Sequence, residues 1–116
     1  MAAGGTSTAI RRVGDLLETA DDVLANPLLL QGRGAAEVRM AIGGTPGWVD
    51  DVMRHSTTHP EGGWVFREMN AGGTDFTGRM IQFHPGTSRH FGGSPYWKVS
   101  GIPGQGPVHI PVNSYP

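Results

Sequence analysis

At Gly62-Gly63 the spacing of apolar residues changes from threes and fours to twos. Upstream, Ile10, Val13, Leu17, Ala20 and Leu24 recur at helical steps, with Leu16 and Val23 beside them. Downstream, WVFREM (64–69), GRMIQF (78–83), YWKVS (96–100) and VHIPV (108–112) alternate with a period of two. A helical repeat cannot present one apolar face as a strand, and an alternating repeat cannot do so as a helix. The expected class is therefore α+β, with two N-terminal helices packed on a four-stranded antiparallel β-sheet. The helical part is expected at 8–44 and the sheet part at 63–112. Both belong to one domain, 8–116, after a linker at 1–7.

Local signals set the expected boundaries. The first helix is predicted over 8–25, capped by Thr6, Ser7 or Thr8 and stopped by Asn26-Pro27. Its outward residues, Arg11, Arg12, Asp15, Glu18, Asp21 and Asp22, read as a solvated face. A second helix is predicted from Ala35 to Ile42, ended by Gly43-Gly44. Residues 50–62 (DDVMRHSTTHPEG) read as a loop, as do 85–95 (PGTSRHFGGSP), which are too rich in Gly and Pro for a strand. Asn70-Ala71-Gly72-Gly73 turns the first predicted strand into the second. Pro111 cannot donate to a ladder, so the last strand belongs at an edge.

Composition narrows the chemistry. Glycine fills 19 of 116 positions, so the core is small and much of the chain turns. The absence of cysteine excludes disulfides, thiolate nucleophiles and cysteine-based zinc sites. No apolar run approaches the roughly 20 residues of a membrane span, and no basic-then-apolar leader opens the chain. No membrane anchoring is expected, and the Gly/Ser/Thr-rich start suits a cut point in a longer protein. Charge is divided unevenly: residues 1–62 hold five arginines and eight acids, whereas 63–116 hold Arg67, Arg79, Arg89 and Lys98 against Glu68 and Asp75. His84, His90 and His109 also lie in that second part, which suits an anionic ligand.

Lys98 is the only lysine of the chain, and it sits inside the strand-like run PYWKVS. Alternation sends Trp97 and Val99 to one side and Tyr96, Lys98 and Ser100 to the other. Applied to the other strands, it groups Trp64, Phe66, Ile81, Phe83, Val108, Ile110 and Val112 on the core side. Arg67, Gln82, His84 and His109 then join Lys98 on a second face expected to hold no carboxylate. Arg79 falls on the core side by this rule. The bland reading of such a face is the polar outside of a one-sided sheet.

The chemical reading is phosphoryl transfer on RNA without a metal. The RNA 2′-hydroxyl is the nucleophile, and the enzyme supplies a base, an acid and cations. Histidine suits the first two roles because its ordinary pKa lies near about 6.5. Arginine and lysine suit the third. His84 with His109 or His90 are the acid and base candidates, and Lys98, Arg67 and Arg79 the cationic ones. Gln82, Tyr96, Ser100, His90 and Arg89 are the substrate-binding candidates, with Tyr96 or His90 stacking a splayed base. A zinc site through His84 and His90 lacks an accompanying carboxylate and matches no strong ligand spacing. No metal and no cofactor are expected. His55 and His59 read as surface residues of a loop.

The ordered pieces NPLLLQGR, AAEV, a Pro-Gly-Trp turn, GWVFRE, GRMIQFHPG, SPYWKVS and VHIPV carry a resemblance. Over about residues 26–112 the chain resembles C-terminal toxin domains of bacterial polymorphic toxins, in the barnase–EndoU–colicin–RelE group of metal-independent ribonucleases. Relatives commonly open the second helix with Ser/Thr-Pro-Glu, where this chain has Gly34-Ala35-Ala36-Glu37. The resemblance implies an endoribonuclease, with tRNA among its candidate substrates, and it supports Arg79, His84, Lys98 and Ser100 as site positions. It also implies the end of a larger protein that is secreted or delivered by contact, action in the target-cell cytoplasm, and a cognate immunity protein. The alternatives from other classes are a metal-dependent or NAD-consuming toxin enzyme and a non-catalytic module that binds nucleic acid or protein.

Overall fold

Trp97 and Val99 have no exposed surface, and the sheet is assembled around them. The computed structural model describes residues 16–51, 63–84 and 94–112. Five strands form one antiparallel sheet in sequence order: β1 (Trp48–Asp51), β2 (Trp64–Met69), β3 (Phe76–His84), β4 (Tyr96–Ser100) and β5 (Val108–Pro111). Two α-helices, α1 (Ala20–Ala25) and α2 (Ala35–Ile42), and a 3-10 helix (Pro27–Leu30) precede them. The protein is thus α+β, with the sheet one strand larger than expected. Among the described residues no helix is long and apolar enough to cross a membrane.

The extra strand is β1, whose Asp50 and Asp51 were expected in a loop. Two adjacent acids hide the alternation that marks a strand. They are tolerated because each meets an arginine: Asp50 pairs with Arg39 of α2, and Asp51 with Arg67 of β2 at 2.9 Å. The rest of that expected loop, 52–62, lies outside the described residues, as does 85–93 of the other. β3 begins at Phe76, two residues before the expected start. β2 and β4 have their expected bounds, and β5 with Pro111 lies at a sheet edge.

α1 corrects the first predicted helix. Thr19 is its N-cap: the Thr19 hydroxyl accepts from the Asp22 N–H at 3.3 Å, and the Asp22 carboxylate accepts from the Thr19 N–H at 2.9 Å. This capping box satisfies donors that a longer helix would pair internally. Residues 16–18 are therefore not helical, although Leu16 and Leu17 fit the repeat. Positions 8–15 and the proposed caps Thr6, Ser7 and Thr8 lie outside the described residues. α2 runs as expected, with Val38 and Ile42 buried.

Buried Thr45 ties the helical layer together. Its hydroxyl donates to the Ile42 carbonyl at 2.6 Å and accepts from the Ala20 N–H at 2.8 Å. Val23, Leu24, Leu30, Val38 and Ile42 then pack on Trp48, Phe66, Ile81, Trp97, Val99 and Ile110. Trp97 meets Trp64 and Phe83 edge-on, with ring centroids 5.6 and 5.4 Å away. Trp97→Ala should lower the unfolding free energy by about 3–5 kcal/mol, read by denaturant titration. Gly101 closes β4 at φ +91°, where an added Cβ would lie 2.6 Å from the Arg79 Cα. Gly104, at φ +82°, has open space instead. Gly101→Ala should therefore destabilise by more than about 1 kcal/mol and by more than Gly104→Ala, which suffers backbone strain alone.

Candidate functional site

Strand register decides which polar side chains meet. Lys98 on β4 lies directly opposite Gln82 on β3 and His109 on β5. One step along the same face, Tyr96 is flanked by His84 and Pro111, and one step the other way Ser100 faces Met80. Arg67 on β2 lies opposite Met80. Directly opposed residues on one face hold their Cβ atoms about 4.5–5.5 Å apart. The helices cover the other face, so these residues share the face that alternation assigned them.

The aromatic part of the site is packed. Tyr96 is only 4% exposed. Its ring stacks on His84 with centroids 4.8 Å apart and planes 7° from parallel, and it meets His109 at 5.6 Å in a tilted arrangement. A base cannot lie on a ring enclosed in this way, which corrects the expectation that Tyr96 stacks one. Its geometric effect is to steady two imidazoles from the strands on either side of β4.

The cations separate into three situations. Arg79 lies on the helix side, bonded to Glu68 at 2.7 Å and Asp21 at 3.0 Å, with its guanidinium 5.6 Å from the Trp48 ring centre. It is a bridge between α1, β2 and β3 and does not join Lys98. Arg67 is on the Lys98 face but is held by Asp51 at 2.9 Å and stacked on Phe76 at 3.8 Å. Asp51 also corrects the expectation of a face without carboxylates. Lys98 is half-buried and makes no hydrogen bond or ion pair with a described residue. Beside it, the Gln82 Oε1 is enclosed and has no hydrogen-bond partner among the described residues.

Arg89, His90, His55 and His59 lie outside the described residues, so the zinc pairing of His84 with His90 does too. Among the described residues no three His, Asp or Glu side chains gather into a group able to hold a metal ion. Phe76 opens β3, two residues before the expected start of that strand. It is 41% exposed and stacks with Arg67. Gly78 at φ +99° and a register shift against β2 separate it from the run that starts at Met80, so alternation alone does not reach it. Comparison of the chain with protein-family models, curated proteins and solved structures gives no match.

The two chemically similar cations should respond differently to removal. Arg79→Met should cost about 1 kcal/mol of stability, since it removes the partner of exposed Asp21 and leaves half-buried Glu68 only the Thr77 hydroxyl. Lys98→Met should leave the midpoint of thermal unfolding nearly unchanged. Equal loss in both would show that Lys98 is structural.

Proposed function

We propose that this chain is a bacterial toxin domain that cleaves RNA without a metal. The observation that carries the reading is the cross-strand row of Gln82, Lys98 and His109, with His84 and Ser100 in the adjoining rows. The resemblance to polymorphic-toxin ribonucleases, which rests on the same strands, points the same way. In the proposed reaction one imidazole takes the proton of the RNA 2′-hydroxyl, and the 2′-oxygen attacks the neighbouring phosphorus. The bond from phosphorus to the 5′-oxygen breaks, and the other imidazole protonates that oxygen. The products are a 2′,3′-cyclic phosphate and a 5′-hydroxyl. His84 and His109 fill the two proton-transfer roles. Lys98 stabilises the charge that builds on the phosphate oxygens, and Ser100 and Gln82 orient the phosphate by hydrogen bonds.

In this reading the domain ends a larger secreted or contact-delivered protein and acts in the cytoplasm of the target cell. Its producer protects itself with an immunity protein that sets carboxylates against Lys98, since charge complementarity speeds such association. The test is incubation of the purified domain, below stoichiometric amounts, with total RNA, with and without a chelator. Cleavage in the chelator, leaving cyclic phosphate ends, is expected. Lys98→Ala should slow it by roughly 10²–10³ while the fold persists. Activity lost to the chelator points to a metal nuclease, consumption of added NAD to the NAD-consuming class, and binding without turnover to a non-catalytic module.

A further inference from the structure

We propose that Phe76, backed by Arg67, is a stacking platform for one base of single-stranded RNA, apart from the bond that is cut. This rests on the RNA reading above and extends it to a second subsite. A register shift against β2 and Gly78 at φ +99° interrupt β3 between Phe76 and Met80, yet Phe76 lies on the face of Met80, Gln82 and His84, because Arg67, which pairs with Met80 there, stacks on its ring. It is 41% exposed, whereas Tyr96 on the same face is 4% exposed. The Arg67 guanidinium lies 3.8 Å from its ring centre and is itself fixed by Asp51 at 2.9 Å. One side of the ring is therefore held by a cation, while much of the residue remains open.

Aromatic rings and guanidinium planes are the surfaces on which unstacked RNA bases lie. Charge points to the occupant: Asp51 is taken up by Arg67, and Lys98, with no ion pair to a described residue, leaves a net positive charge on the same face, with the imidazoles of His84 and His109 beside it. Gly78 separates Phe76 from Met80, and an added Cβ there would meet nothing within 4 Å. The backbone bulges there, at φ +99°, and the space beside it is open to a sugar–phosphate chain. Phe76 lies six residues from Gln82 along β3, at most about 20 Å, so the stacked base belongs to a nucleotide some steps from the one beside Lys98.

The test is fluorescence anisotropy with a 2′-O-methyl RNA oligonucleotide, which lacks the attacking hydroxyl and is not cut. Phe76→Ala, shown to be folded by its melting curve, should bind roughly 5- to 100-fold more weakly. Phe76→Trp should restore binding, because it restores the ring. The difference between Phe76→Ala and the parent should vanish for a dinucleotide, which cannot reach both places. A folded Phe76→Ala that binds the long oligonucleotide like the parent overturns this subsite and leaves the RNA reading standing. A parent that binds no RNA and cleaves none overturns the RNA reading itself. Self-association of the parent that Phe76→Ala abolishes, with RNA binding intact, assigns Phe76, with Val49 exposed on the same face, to a protein interface and also overturns the subsite.

Discussion

The burial of Trp97 fixes where every polar group of the outer face points. A strand can slip by one residue only by turning all its side chains over. For β4 that slip would place Lys98 under the helices and Trp97 in the polar row. Trp97 is fully buried among Trp64, Phe83 and Ile110, so the slip would expose the largest apolar group of the core and bury an ammonium. Both changes are unfavourable by several kcal/mol or more. The register of β4 in turn sets Gln82 and His109 beside Lys98. The candidate site is thus positioned by packing on the opposite side of the sheet.

Acidic side chains sort the cations into structural and available ones. Arg79 receives two carboxylates and Arg67 one, and both guanidinium groups also lie over aromatic rings. Arginine suits this work because its planar fork bonds two ways and stacks. A lysine at position 79 would offer a single point charge and no plane for Trp48. The separation also limits what net charge can say. The excess of cations over acids in residues 63–116 is partly cancelled by Asp21 and Asp51, which come from the other half of the chain.

Alternation was enough to assign the faces of Trp97, Lys98, Gln82, His84 and His109, because each lies in a run with a buried side. It failed at β1, where Asp50 and Asp51 are stabilised by arginines distant in sequence. Periodicity likewise carried the first helix through residues 16–19, where a local capping box at Thr19 and Asp22 overrides the repeat. Arg79 is the instructive residue. Alternation sent it to the core side and the toxin resemblance favoured it for the site. Its bonds to Glu68 and Asp21 follow the alternation. Exposure is a property of tertiary packing, so the enclosure of Tyr96 between two imidazoles could not be read from an aromatic in a strand.

Gln82 sets a neutral side chain, not a carboxylate, beside the lysine. Its Oε1 is an enclosed acceptor without a described partner, and Lys98 lies directly across the ladder. An unsatisfied buried acceptor costs about 1–3 kcal/mol; the ammonium across the ladder has three protons but makes no bond to it in this structure. A bond to a neutral amide would use one and leave two, with the full positive charge intact. Asp51, by contrast, neutralises the arginine it holds. A carboxylate in place of Gln82 would secure the lysine more firmly and cancel its attraction for phosphate. A neutral amide across the ladder leaves the ammonium unneutralised, as the proposed contact with a phosphate requires.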